Sequence, residues 1–171
     1  ILASALRRAL ERDELALVFQ PRLSLTQHRI TGVEALLRWQ SRDFGEVSPG
    51  QFIPLAEESG LILEIGAWAL RQALMTLHGW HQQGLAGLTV AVNVSALQLQ
   101  RGDLSDVVAQ ILEETGVSAH CLELELTESV IMANPEKDAD PLRACRRLGV
   151  SLAIDDFGTG YSSLAYLRRL P

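Results

Sequence analysis

Residues 150–160 read VSLAIDDFGTG. The run 150–157 has the apolar density of a buried β-strand, and it ends in two adjacent carboxylates, Asp155 and Asp156, followed by a glycine-rich turn. Two like charges closing an apolar run repel each other, and in a poorly solvated place one of them tends to hold a proton. A bound cation removes that cost. The rest of the chain then matters in two ways: whether other strands end as this one does, and whether they bring further ligands for an ion.

Working outward, the pattern alternates strand and helix. An amphipathic helix is expected around residues 2–12, then strands over 15–21 (LALVFQP) and 29–39 (RITGVEALLRW). Ser48 before Pro49 marks a helix start and Gly60 its stop. Helices over 61–84, 103–116 and 136–148 are closed by Gly84, Gly116 and Gly149, and a further helix begins at 161–170. Strands fall between them at 88–95, 121–129 and 150–157. A βαβα order argues for a parallel sheet. Five strands with helices between them suit either an open sheet or the first five-eighths of a (β/α)8 barrel, and composition does not separate the two.

The chain has 171 residues, 47% hydrophobic and 21% charged, enough for one domain with a real core. The net charge of −6 gives no basic face for duplex nucleic acid. Cys121 and Cys145 have neither metal-site nor redox-motif spacing and read as reduced, partly buried thiols of a cytosolic domain, with one disulfide between them as the alternative. No apolar run reaches the ~18 residues of a membrane span, and the first residues lack signal-peptide features. There is no Walker-type phosphate loop and no serine nucleophile elbow. His78 and His81 lie three apart in an amphipathic helix pattern, His28 and His120 fall in loops, and Trp39, Trp68 and Trp80 read as packing residues.

Functional groups of parallel α/β folds gather at the C-terminal ends of strands, and the polar residues of this chain follow that rule. Glu34 and Arg38 share parity on the second strand; Asn93 interrupts the third near its end; Glu123 and Glu125 share a face of the fourth, with Glu128 in the turn behind; Asp155 and Asp156 close the fifth. Glu34, Asn93, Glu125, Asp155 and Asp156 together form a hard, oxygen-rich set suited to Mg²⁺ or Mn²⁺. Two adjacent aspartates can bridge a pair of ions, the arrangement used in phosphodiester hydrolysis, and Arg38 is placed for a phosphate oxygen.

Five blocks, GVEALLRW (32–39), FIPLAEESGLI (52–62), VNVSALQL (92–99), LELTESVIM (124–132) and AIDDFGTGYSSLAYLRRLP (153–171), resemble in order the signatures of EAL-domain proteins, the bacterial cyclic-di-GMP phosphodiesterases. The resemblance implies a (β/α)8 TIM-type barrel with an antiparallel first strand, truncated here after about five strands, so that residues 1–171 form an EAL domain incomplete at the C-terminus. It implies two Mg²⁺ or Mn²⁺ ions and hydrolysis of cyclic-di-GMP to linear pGpG. By the same resemblance Glu34, Asn93, Glu125 and Asp155 look like ligands of one ion, with Asp155 bridging to a second held by Asp156. Gln20, Leu36 and Arg38 look like substrate contacts, and Glu128 like an anchor for the loop after the fifth strand. That loop, 156–163, is associated in the family with metal-site order and with a homodimer. The family also implies fusion to sensory or other signalling domains, through which the parent protein could be anchored at a membrane.

Two departures stand out. The family's PIVDL reads PRLSL at 21–25, placing Arg22 and Ser24 where the family has an apolar and an acidic residue, and a small effect at the barrel mouth is expected. The later blocks bearing a catalytic Lys, a further Glu and a final Gln are not in the chain, so these 171 residues are expected to be inactive alone. The alternative is a non-catalytic cyclic-di-GMP sensor or protein-interaction module.

Overall fold

The structure, a computed structural model, describes residues 1–133 and 135–156, and within them all side chains but those of 132–139. Helix α1 (Leu2–Arg7) precedes a long hairpin of β1 (Leu15–Ser24) and β2 (Arg29–Ser41), with a short β3 (Gly45–Val47) folded back on β2. Helices α2 (Pro49–Glu58) and α3 (Ile62–Gln82) lead to β4 (Thr89–Asn93), then α4 (Ala96–Arg101), α5 (Leu104–Thr115), β5 (Leu122–Thr127), α6 (Glu128–Ala133), α7 (Pro135–Leu148) and β6 (Ser151–Asp155). The sheet order is β1-β2-β4-β5-β6. β1 is antiparallel to β2, whereas β2, β4, β5 and β6 run parallel. That is the α/β arrangement expected, antiparallel first strand included.

Strict alternation sorts the side chains. Leu17 and Phe19 of β1, Val33 and Ala35 of β2, Val90 and Val92 of β4, Leu122, Leu124 and Leu126 of β5, and Leu152 and Ile154 of β6 all pack into one core with α3, α5 and α7. The intervening residues face the other way, and nearly every polar strand residue is among them. A second core holds α1 and α2 against the far end of the hairpin, around Trp39, Phe52, Ile62 and Ile65. Trp39 and Phe52 meet edge to face at 5.8 Å, as do Phe19 and Trp80 at 5.0 Å. Both cysteines are free and buried.

Several boundaries differ from the sequence reading. The first helix stops at Arg7 rather than near residue 12, because the chain turns through Asp13, at a φ of 53°, to enter β1. β1 runs on through Pro21 to Ser24; it pairs with β2 alone among the described residues, so the missing proline N–H costs no ladder bond on the other side. The short β3 and α4 carried too little periodicity to be expected. α4 is nonetheless written in the sequence as a capping box: the Gln98 N–H donates to Ser95 Oγ at 3.4 Å, and the Ser95 N–H donates to Gln98 Oε1 at 3.0 Å. Gly84, Gly116 and Gly149 all follow helices with φ between 68° and 97°, the left-handed conformation that glycine adopts without penalty. The helix expected over 161–170 lies outside the described residues.

Candidate metal centre

The parallel register staggers the strands so that their ends converge. Glu34 of β2 lies level with Ala91 of β4, which lies level with Glu123 of β5; one step further along, Asn93 lies level with Glu125, and beyond it Thr127 with Asp155. Glu34, Glu125 and Asp155 each bring a carboxylate oxygen into one group whose members lie within 4.8 Å of one another. Asn93 joins them by donating from Nδ2 to Glu34 Oε1 at 3.0 Å. Four of the five expected ligands are therefore assembled from four separate strands. Asn93 and Asp155 end theirs as expected, whereas Glu125 lies two residues before the end of β5 and Glu34 lies mid-strand in β2, which runs on past its parallel ladder with β4 to pair with β1 and β3. The fifth, Asp156, stands outside that group: it follows β6 with φ of 54°, and its N–H donates to Asp155 Oδ1 at 2.9 Å.

The group fits a hard divalent cation on its own chemistry. Glu125 is only 5% exposed, and its Oε2 is buried without a hydrogen-bond partner. An orphaned carboxylate oxygen beside two other carboxylates is costly in the absence of a cation and well suited to one. Burial pushes the Glu125 carboxyl above its ordinary range; Arg22 opposes this, and the neighbouring Glu34 and Glu123 charges reinforce it.

Arg22 is the residue the sequence reading undervalued. It shares a face with Gln20, which opposes Glu34 in the hairpin register, and it crosses β4 to reach three carboxylates on two other strands. Nη1 donates to Glu123 Oε1 at 2.6 Å; Nη2 donates to Glu34 Oε2 at 3.3 Å and to Glu125 Oε1. Arg22 lay one residue beyond the strand expected over 15–21, so neither its face nor its reach was read from the sequence. The crossing is open because β4 carries the small Ala91 at that level.

The remaining candidates divide. Leu36 and Arg38 line a cavity of about 420 Å³ together with Asn93, Ser95, Gln98 and Thr127, so the cavity shares Asn93 with the acidic group. Ile53, Val92, Val94 and Val130 supply apolar wall. Arg38 is half-buried and donates from Nη1 to the Leu37 carbonyl at 2.8 Å. Gln20 is exposed on β1. Glu128 is buried at 6% exposure as the first residue of α6, directly behind β5. The loop that Glu128 was expected to anchor, and the dimer expected through it, fall on 156–163, of which 157–163 lie outside the described residues. His81 hydrogen-bonds the Leu88 carbonyl at 2.8 Å and His78 the Gln82 amide at 2.8 Å, so both serve the end of α3.

The EAL domain family matches residues 3–171. The chain belongs to that family. It is 48% identical over 166 residues, 97% of its length, to the cyclic di-GMP phosphodiesterase NbdA of Pseudomonas aeruginosa. The solved MucR phosphodiesterase in complex with cyclic di-GMP superposes with a TM-score of 0.94 at 45% identity, over 99% of this chain and 69% of that one. The FimX EAL domain, at 24% identity and a TM-score of 0.90, shows the shared fold, over 99% of this chain and 68% of that one. The chain spans 21% of the length of NbdA and 24% of that of MucR, both of which are several times longer. Among the described residues no helix is long and apolar enough to cross a membrane.

Proposed function

We propose that this chain forms the metal- and substrate-binding part of a phosphodiesterase that hydrolyses cyclic-di-GMP to linear pGpG. The observation that carries the reading is the meeting of Glu34, Asn93, Glu125 and Asp155 on one face of the sheet, beside a cavity that shares Asn93 with them. The names of NbdA and MucR support the substrate.

Glu34, Asn93, Glu125 and Asp155 would hold one Mg²⁺ or Mn²⁺ ion, and Asp156, next to Asp155, would contribute to a second. Ions so held supply a water of lowered pKa and neutralise charge developing on phosphate oxygens. The chain's own residues do the rest. The apolar wall around Leu36 and Val94 accepts a flat base and excludes water from it. Arg38, at the rim of the same cavity, takes a phosphate oxygen. Gln20 faces the substrate from across the hairpin, and buried Glu128 fixes the start of α6 against β5. Residues 1–171 form an EAL domain incomplete at the C-terminus, and alone they bind without turnover. The homodimer and the fused signalling domains belong to the same reading, as does action in the cytoplasm.

The test is to incubate the purified chain, and separately the full-length protein, with cyclic-di-GMP and Mn²⁺. pGpG is followed by chromatography and the intact mass is checked on the same samples. Turnover by the full-length protein, abolished by Glu34→Ala, is the expected result. Tight nucleotide binding without turnover in the full-length protein would make this a sensor instead. pGpG formed by the 171-residue chain would overturn the incompleteness argument.

A further inference from the structure

Four carboxylates, those of Glu34, Glu123, Glu125 and Asp155, share the open face of the sheet, and among the described residues the ion pairs of the first three all run to Arg22. We propose that Arg22 is a resident counter-ion of the metal centre, a positioning residue that holds the carboxylates assembled before an ion arrives and weakens the grip on that ion once it is bound.

The division of oxygen atoms carries the argument. Arg22 takes Oε2 of Glu34 and Oε1 of Glu125, Asn93 takes Oε1 of Glu34, and Glu125 Oε2 is left buried without a partner. The guanidinium thus fixes the rotation of Glu125 and leaves the unpartnered oxygen to the ion. A planar fork can bridge carboxylates on separate strands but cannot supply the close multi-oxygen shell that a divalent ion takes. It therefore prepares the site without filling it. Glu123 explains why Arg22 stays when an ion enters. It lies outside the 4.8 Å group, one step down β5 from Glu125, and its 2.6 Å bond anchors Nη1 to one side. A positive charge anchored there repels a second cation, so pre-assembly comes with weaker metal affinity.

This rests on reading Glu34, Glu125 and Asp155 as a cation site, and the experiment separates the two ideas. Wild type, Arg22→Met and Arg22→Lys are prepared as full-length protein without nucleotide. Mn²⁺ binding is measured by calorimetry, and amide hydrogen exchange is followed over 29–41 and 122–128 in EDTA and in saturating Mn²⁺. Arg22→Met should exchange about tenfold faster than wild type in EDTA at both segments and regain protection in Mn²⁺. It should also bind Mn²⁺ about tenfold more tightly. Arg22→Lys, which keeps the charge but not the fork, should fall between. Equal loss of protection with and without Mn²⁺ would make Arg22 merely structural. Weaker Mn²⁺ binding by Arg22→Met, or unchanged exchange and affinity, would also overturn the counter-ion role. Failure of the wild type to bind Mn²⁺ would overturn the cation-site reading itself.

Discussion

Glu14 and Glu125 are equally buried, each 5% exposed, and each has arginine beside it and one carboxylate oxygen without a hydrogen bond. Their carboxyls are nonetheless pushed in opposite directions. Glu14 accepts a 3.0 Å hydrogen bond from Trp39 Nε1, and this, with Arg12 and Arg42 nearby, outweighs burial and holds its carboxyl below the ordinary range. Its unbonded Oε1 faces Arg12 at 3.7 Å and Arg42 at 3.9 Å. Around Glu125 the balance is reversed: one arginine serves three carboxylates, and burial lifts its carboxyl. One buried acid is already complete within the protein; the other is completed only by something brought from outside. Burial alone does not distinguish an anchor from a site, whereas the local count of charges does.

Exchanging each acid for its amide should break the two regions in different ways. Glu125→Gln keeps the shape and the acceptor for Arg22 but removes a ligand charge, and Mn²⁺ affinity should fall by about 100-fold or more in calorimetry. The metal-free protein should unfold at nearly the wild-type temperature, because relief of repulsion with Glu34 and Glu123 offsets the weaker bond to Arg22. Glu14→Gln should do the reverse, lowering the unfolding midpoint while leaving Mn²⁺ affinity as it was. A loss of metal affinity from Glu14→Gln would dissolve the distinction between them.

Trp39 tests the anchor from the donor side. Trp39→Phe keeps most of the packing against Phe52 but removes the indole hydrogen bond to Glu14 Oε2, and should lower the unfolding midpoint in a denaturant titration by less than Glu14→Gln does. Smaller again is the pH signature. The Trp39 hydrogen bond holds the Glu14 carboxyl below the ordinary carboxylate range in the folded state. Its contribution is therefore fully present above that range and is lost as pH falls through the lower, folded value. The deficit of Glu14→Gln relative to wild type should stay constant between about pH 8 and pH 5, then shrink on further acidification. A deficit that grew in acid would contradict the direction of the shift.

The same contrast explains what could be read in advance. Glu34, Asn93, Glu125 and Asp155 were legible because each is a polar residue set into an apolar strand; Asn93 and Asp155 end theirs, whereas Glu34 sits mid-strand in β2 and joins them because its side chain shares the face away from the core. The parallel run of the sheet followed from the βα alternation, and the glycines that stop the helices stood in plain view. Arg22 and the Glu14–Trp39 pair were not legible. Each depends on how far a long side chain travels across neighbouring strands or turns, and periodicity gives a direction without a distance. β3 failed for a different reason, since three residues cannot show a period. The capping box of α4 was present in letters, but Ser95 was read as the last residue of a strand and Gln98 fell in no expected element.

Asp156 is the finest test of the site. It was expected among the ligands, yet it stands outside the compact group, with its backbone N–H turned to Asp155. Its φ of 54° is a conformation that asparagine, like aspartate, tolerates better than most side chains, so Asp156→Asn removes charge with little disturbance of the backbone. If Asp156 serves a second ion, a metal titration of this variant should show the weaker of two binding steps reduced several-fold, by about tenfold at most, and the tighter step unchanged. An equal loss in both steps would mean that Asp156 acts through Asp155 on a single shared ion. The compact group and the residue just outside it would then be one site, and the separation of the two ions along β6 would have to be abandoned.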